Sequence, residues 1–149
     1  MENTIKIQDM ILGLFKGIDL ENHFSVDAQV TYRVSQKDNV FFQKKLGLNT
    51  IKQQIASVKV VYDLLFKSYS THLLQIIEKH NMVVAEWCLD AVTIEDEDIG
   101  IHILSLFEVN DEHKIVKEVQ YWEDSDMISR LIHKLKLANR VEEGLKKMG

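Results

Sequence analysis

Three side chains near the end of the last predicted strand are spaced so that they could act together. Glu118, Gln120 and Trp122 alternate along Lys114–Trp122, a segment whose alternating β-branched and aromatic residues favour a strand. Alternate residues of a strand point to the same face of a sheet. If apolar walls enclosed that face, the pKa of the Glu118 carboxyl would rise and the group could act as a general base. A solvated or ion-paired Glu118 on an edge strand is the alternative.

Other polar and aromatic side chains could serve a ligand-binding pocket. Tyr32 and Gln120 could hydrogen-bond a carbonyl or hydroxyl group of a ligand, or they could bond each other. Trp87 and Trp122 would offer flat apolar surface to a hydrophobic ligand, although aromatic side chains also fill cores. Asp90 is a second candidate base only if the face of its strand is the opposite of the one assigned below.

The sequence offers no set of residues for metal or cofactor chemistry. Five of the six histidines lie on different elements, and none of them pairs with another at ligand spacing beside a carboxylate: His72, His80, His102, His113 and His133. Cys88 is the only cysteine and stands among apolar strand residues, so we predict a buried small side chain rather than a nucleophile. No glycine-rich phosphate-binding loop occurs among the 6 glycines. We therefore expect no metal and no cofactor.

Length and charge exclude several classes of protein. The 149 residues fit one domain over 1–149, and 46% hydrophobic with 28% charged residues is typical of a globular chain. Lys plus Arg number 18 against 23 for Asp plus Glu, so the net charge of −5 removes the attraction that dominates nucleic-acid binding. No apolar segment reaches the about 18 residues of a membrane span. With one cysteine and no basic signal-peptide region, the cytoplasm is the expected location.

Helical periodicity and strand alternation predict an α+β domain with the helices first. The first predicted element is a helix from Asn3 or Thr4 to Gly17, followed by a short helix capped by Asp19 and a strand over 27–34. A long loop over 35–48 leads to a helix from Asn49 or Thr50, which has a Thr50–Gln53 capping box. Four strands, over 68–79, 82–94, 99–109 and 114–122, and a last helix over about 125–147 complete the order. The turns between the last four strands are short, which requires antiparallel neighbours.

The alternation of side chains assigns an inner face to two of these strands. On the strand over 82–94, one face is entirely apolar and the other carries charged residues, so the inner set is Val83, Ala85, Trp87, Leu89 and Ala91. On the strand over 99–109 we place inward the face without charged or imidazole groups, which carries Ile101, Ile103, Ser105 and Phe107. Neither face of the strand over 114–122 is cleanly apolar. It fits a strand that lines a pocket with polar groups, or an edge strand that is wet on both faces.

Three short segments carry a family resemblance. Val83–Trp87 places apolar residues before Glu-Trp, Phe107–Glu118 forms a hairpin with a polar turn, and Tyr121–Asp124 is a closing aromatic–acidic motif. With the order of the elements, they resemble the nuclear transport factor two-like superfamily and its SnoaL-like branch over about residues 4–124. The resemblance implies a cone-shaped fold, in which N-terminal helices pack on a strongly curved, mainly antiparallel sheet around a pocket, followed here by a C-terminal helix.

Limonene epoxide hydrolase, in the same superfamily, needs two aspartates and an arginine. The resemblance puts Leu89 and Gln120 at the aspartate positions and Trp87 at the arginine position. Leucine cannot accept a proton and glutamine does not titrate, so we expect no epoxide hydrolysis. The same comparison puts Trp87, Gln120 and Tyr32 in the pocket. The predicted ligand-binding set is Tyr32, Trp87, Leu89, Ile103, Gln120 and Trp122.

Two functions and one mode of assembly fit this pattern. The first function is binding of a small, largely apolar molecule in the cone pocket. The alternative is an isomerase, cyclase or hydratase that uses a single pocket carboxylate, for which Glu118 is the candidate. A dimerisation module is a further alternative that is compatible with binding. We expect a homodimer through the sheet, because the outer face with Val84, Cys88, Val92 and Leu106 is largely apolar.

Overall fold

The computed structural model describes residues 2–34, 42–124, 126–134 and 136. The elements are helix α1 (Glu2–Gly13), a 3-10 helix (Leu20–Asn22), strand β1 (Phe24–Arg33), strand β2 (Lys45–Leu46), helix α2 (Leu48–Leu65), strands β3 (Phe66–Lys79), β4 (Met82–Thr93), β5 (Asp98–Val109) and β6 (Ile115–Trp122), and helix α3 over 126–134. The predicted α+β class is confirmed.

The strands form one six-stranded, curved sheet that does not close, in the order β2-β1-β6-β5-β4-β3. Strands β3 to β6 pair as antiparallel neighbours, as their short turns require. Strand β1 pairs in parallel with β6, so β6 lies between β1 and β5. The alternative of an edge strand for Glu118 is therefore wrong.

A β-bulge in β6 explains why neither of its faces is cleanly apolar by simple alternation. Val109 pairs with Ile115, whereas Glu108 pairs with Lys117, so Val116 is an extra residue in the ladder. An extra residue reverses the alternation of the side chains beyond it. Ile115 and Glu118 are therefore both buried on the inner face although they differ in parity.

Helices α1 and α2 cover the inner face of the sheet with apolar stripes. The stripe of α1 includes Ile7, Met10 and Ile11, and that of α2 includes Ile51, Val58, Tyr62 and Leu65. On the sheet, both inner sets predicted for β4 and β5 are buried, and Val83, Ala85, Ser105 and Phe107 have no exposed surface. Since both predicted sets meet the helices, the assignment of the faces is confirmed.

The starts of both long helices differ from the prediction. Helix α1 begins at Glu2, so Asn3 and Thr4 lie inside it; the Asn3 amide bonds His113, and Thr4 bonds Glu78. The helix ends at Gly13, and Gly17 lies beyond it with a positive φ of 81°.

The predicted capping box of the second long helix is not formed. Helix α2 begins at Leu48, and its N-cap is Gly47, with a φ of 89° and no side-chain cap. The glycine permits a left-handed backbone that the following residues would adopt at a cost, so it displaces Asn49 and Thr50 from the cap. Asp19 does cap the 3-10 helix, as predicted, through Glu21 N.

The predicted loop over 35–48 contains a short strand. Lys45–Leu46 pairs with β1, and residues 35–41 lie outside the described part of the chain. The C-terminal helix is confirmed over 126–134, where Ile128 packs into the core, and most of the predicted remainder lies outside the described residues. Within the described ranges, no helix has the length and apolar character needed to cross a membrane.

Candidate functional site

Two adjoining hollows lie between the inner face of the sheet and helices α1 and α2. Their cavity volumes are about 40 Å³ and 50 Å³, within wider clefts that are partly open to solvent. Six residues line both hollows: Leu14, Tyr32, Gln54, Ile55, Trp87 and Gln120. The walls are mostly apolar with a few polar groups, the composition typical of small-molecule sites.

The structure brings the predicted site residues together. All six residues of the predicted ligand-binding set line the second hollow: Tyr32, Trp87, Leu89, Ile103, Gln120 and Trp122. Glu118 lines the first hollow, together with Trp87, Tyr32 and Gln120. Asp90 is exposed and lies on the outer face, where it contacts His72. The binding of a ligand by these residues stays a prediction.

A first chain of hydrogen bonds leads from Trp87 to Glu118. The indole Nε1 of Trp87 donates to Ser105 Oγ at 3.0 Å, and the Ser105 hydroxyl donates to Glu118 Oε2 at 2.9 Å. The three residues lie on the adjacent strands β4, β5 and β6 as diagonal neighbours on the inner face, since Trp87 pairs with Ile103 and Ser105 with Gln120. Because an indole N–H can only donate, the Ser105 oxygen accepts this bond. The hydrogen of the Ser105 hydroxyl then points toward the Glu118 carboxyl.

A second chain reaches the same oxygen along β6. Trp122 Nε1 donates to Gln120 Oε1 at 2.8 Å, and Gln120 Nε2 donates to Glu118 Oε2 at 2.9 Å. The spacing of two residues puts the three side chains on one face. Glu118 Oε2 therefore accepts from both chains, whereas no donor among the described residues reaches Glu118 Oε1.

The environment of Glu118 sets its acidity. Only 4% of the residue is exposed, and burial raises the pKa of its carboxyl to about 7, against the opposing effect of the bonds from Ser105 and Gln120. Burial dominates because the surrounding walls are apolar and the two bonds replace only part of the lost hydration. A carboxyl with a pKa near neutrality can both give up and accept a proton.

Three aromatic rings pack together beside the second hollow, two of which, Tyr32 and Trp122, line it. Phe42 packs edge-on against Tyr32, with ring centroids 5.8 Å apart, and against Trp122, at 5.2 Å. The Tyr32 phenol hydrogen-bonds the Gln54 side chain; burial, and then the negative charge of Glu118, raise the pKa of the phenol. Tyr32 is therefore neutral at ordinary pH and is a hydrogen-bonding group rather than a base.

Sequence patterns assign no role to three polar residues of the site. Alternation predicts that Ser105 faces inward, but its position between Trp87 and Glu118 depends on the register of three strands. Gln54 lies on the face of α2 toward the hollows. Lys45 lines the first hollow, because β2 pairs Lys45 with a residue of β1 that in turn pairs with Glu118. A lysine in a predicted loop carries no sequence pattern that would place it in a pocket.

The described residues contain no group of three or more side chains able to hold a metal ion. Cys88 is buried, as predicted, and lies on the face of β4 opposite to the hollows. Burial, and then the nearby Asp90 carboxylate, raise the pKa of its thiol. A raised pKa lowers the fraction of reactive thiolate.

The raised pKa of Glu118 predicts a pH-dependent stability. Between its ordinary value of 4.5 and about 7, the folded protein holds a proton that the unfolded chain has lost, so the free energy of unfolding falls as pH rises through this window. The full effect is on the order of 3 kcal/mol. Glu118→Gln removes the titrating carboxyl but retains an oxygen that accepts from Ser105 and Gln120. Urea denaturation should therefore show a smaller fall of its free energy of unfolding as pH rises through the window.

Glu112→Gln provides the matched control, because Glu112 is exposed in the turn between β5 and β6. It should follow the wild-type pH dependence. Equal pH dependence of the wild type and Glu118→Gln would show that the carboxyl does not titrate in this window.

Comparison with known structures identifies the fold. No model of a known protein family and no curated protein matches this sequence. An NTF2-like protein of unknown function from Burkholderia pseudomallei superposes with a TM-score of 0.70 at 13% identity, covering 89% of this chain and 98% of that one. TerC, co-crystallised with polyporic acid, gives 0.70 at 17% identity, covering 89% and 99%. A candidate isomerase of the SnoaL-like family from Agrobacterium tumefaciens gives 0.60 at 14% identity, covering 83% and 100%. The chain therefore has the nuclear transport factor two-like fold, in the form shared with SnoaL-like proteins.

Proposed function

We propose that this chain binds a small, largely apolar molecule in the two hollows, and that Glu118 exchanges a proton with it in an isomerase- or cyclase-type reaction. The observation that carries the proposal is the Glu118 carboxyl itself. It lines the first hollow, is 4% exposed, and has a pKa raised to about 7. Perturbed carboxyls in apolar clefts are characteristic of acid–base sites.

The two hydrogen-bond chains leave one oxygen of Glu118 for a ligand. Oε2 accepts from Ser105 and Gln120 and is thereby held in place. Oε1 is the remaining proton acceptor, and a C–H or O–H group of a bound molecule is the partner that the proposal assigns to it. A fixed carboxylate beside its substrate avoids the cost of orienting it during the reaction.

Two neighbours in fold support the proposal by analogy, one for the chemistry and one for the binding of a small molecule. One is described as a candidate isomerase of the SnoaL-like family, and another was crystallised with polyporic acid. Fold alone does not transfer function, so the residues of this site carry the argument. The hydratase alternative has no separate observation in its favour.

Binding without chemistry remains the competing function, and one probe reaction separates the two. Nitrobenzisoxazole is small and largely apolar, and loses a C–H proton to a base while its N–O bond breaks and a nitrile and a phenolate form. We expect the wild type to accelerate this elimination, with a rate that rises with pH through about 7 as Glu118 ionises. Glu118→Gln should lower the rate by about 10²- to 10⁴-fold.

Glu112→Gln, the same change on an exposed turn, should leave the rate unchanged. Binding of the probe by Glu118→Gln would show that only the chemistry is lost. Equal rates for the wild type and Glu118→Gln would remove the proton-transfer step and favour simple binding.

We also propose that the chain forms a homodimer through the outer face of the sheet. One cross-strand row on this face is apolar from β3 to β6, through Ile77, Val84, Leu106 and Val119. In the next row, Leu104 and Tyr121 are 40% and 42% exposed, and the members on β4 and β3 are the polar Glu86 and Gln75. A contiguous apolar patch of this kind is typical of an interaction surface. The cytoplasmic location stays a prediction.

Light scattering at micromolar concentration should give twice the 17.3 kDa mass of the chain. Leu104→Glu should reduce it to 17.3 kDa, because a charge would be buried at the centre of the interface. Leu64→Glu alters an exposed leucine on α2, away from the sheet, and should leave the dimer intact. A wild-type mass of 17.3 kDa would disprove the dimer.

A further inference from the structure

We infer that Gln120 selects ligands that present a hydrogen-bond acceptor oxygen, and that Trp122 is the positioning residue that holds the Gln120 amide in its donating orientation. The inference rests on the proposed function, because it concerns the same hollows. It adds the chemical class of the ligand, namely an apolar molecule that carries a carbonyl or similar acceptor oxygen.

The orientation of the Gln120 amide follows from the groups on either side of it. Trp122 Nε1–H can only donate, so the atom of Gln120 that faces it, 2.8 Å away, must be the amide oxygen. The amide nitrogen then faces Glu118 Oε2 at 2.9 Å and donates to it. A rotated amide would place N–H against N–H at one end and oxygen against the carboxylate at the other, and would lose both bonds.

This arrangement leaves one N–H bond of Gln120 for a ligand. The amide nitrogen carries two hydrogens, and the bond to Glu118 uses one of them. No described residue accepts the second, and Gln120 lines both hollows. The amide oxygen is already occupied by Trp122, so the group that Gln120 offers to a ligand is a donor. Enclosing a donor without an acceptor is costly, which disfavours a purely hydrocarbon ligand.

Lys45, the cation among the described residues that line the hollows, is a competing source of selectivity. Its side chain lines the first hollow and could also favour a ligand with an acceptor oxygen. It does not line the second hollow, where Gln120 lies beside Trp122 and Tyr32. Variants at the two positions therefore separate the two donors.

Acetophenone and ethylbenzene form a matched pair of probes, because they differ by an acceptor carbonyl in place of a methylene group. The quantity to compare is the ratio of their dissociation constants, measured by NMR titration for the wild type and each variant. Gln120→Met keeps the length of the side chain, removes its donor, and leaves a weak acceptor for Trp122. It should shift the ratio by about fivefold against the ketone, which corresponds to one hydrogen bond.

Trp122→Phe keeps an aromatic ring but removes the indole N–H, so the Gln120 amide can rotate. The ratio should then lie between those of the wild type and Gln120→Met. Lys45→Met should leave the ratio at the wild-type value. A ratio that changes in Lys45→Met but not in Gln120→Met would overturn the assignment of Gln120.

The outcomes also separate this inference from the proposed function. Binding of both probes with no change of the ratio in Gln120→Met would overturn the selectivity alone. Binding of neither probe to the wild type would overturn the binding function and the selectivity with it. Glu118→Gln should retain the wild-type preference for the ketone, since its amide oxygen can still accept from Gln120.

Discussion

The candidate site depends on one buried carboxyl oxygen, on which two chains of donors converge. Ser105 and Gln120 both donate to Glu118 Oε2, and each is oriented by the indole N–H of a tryptophan. Trp87 and Trp122 are the two tryptophans of the sequence. Burial of the carboxyl disfavours its charge while the two bonds favour it, and burial has the larger effect. The balance leaves a pKa near neutrality rather than a permanently neutral or permanently charged group.

The fold places this oxygen through three features of the sheet. Strand β6 is flanked on both sides, so its inner face is shielded by β1 and β5 and covered by the helices. The bulge at Val116 turns Ile115 and Glu118 to the same face. The parallel pairing with β1 sets Tyr32 beside Gln120. The Tyr32 ring packs on Phe42, which also contacts Trp122, where the second hydrogen-bond chain begins. The apolar stripes of α1 and α2 then provide the walls that raise the pKa.

Local alternation was sufficient to predict some of these features. The inner faces of β4 and β5 followed from charges on the opposite face, since a period of two is fixed by strand geometry. The same period put Gln120 and Trp122 with Glu118. The expected pocket itself came from the family resemblance, which supplied an arrangement of strands that alternation does not contain.

The remaining features depend on contacts between segments that are distant in the sequence. The bulge at Val116 has no local signal, because valine is an ordinary strand residue. The parallel pair of β1 and β6 joins segments that lie far apart in the sequence, so the lengths of the turns do not indicate it. Strand β2 has two residues, too few for a detectable alternation, so the sequence predicts a loop at Lys45. Gly47 replaced the predicted cap of α2 through its backbone conformation rather than through its side chain.

We expect both tryptophans to report on one titrating carboxyl. The two indole N–H resonances can be followed by NMR from about pH 5 to about pH 9, in the wild type and in Glu118→Gln. Because each indole ends a chain that leads to Glu118 Oε2, both signals should shift with the same midpoint, at about pH 7, and neither should do so in Glu118→Gln. Separate midpoints for the two indoles, or a wild-type titration that survives in Glu118→Gln, would contradict the account.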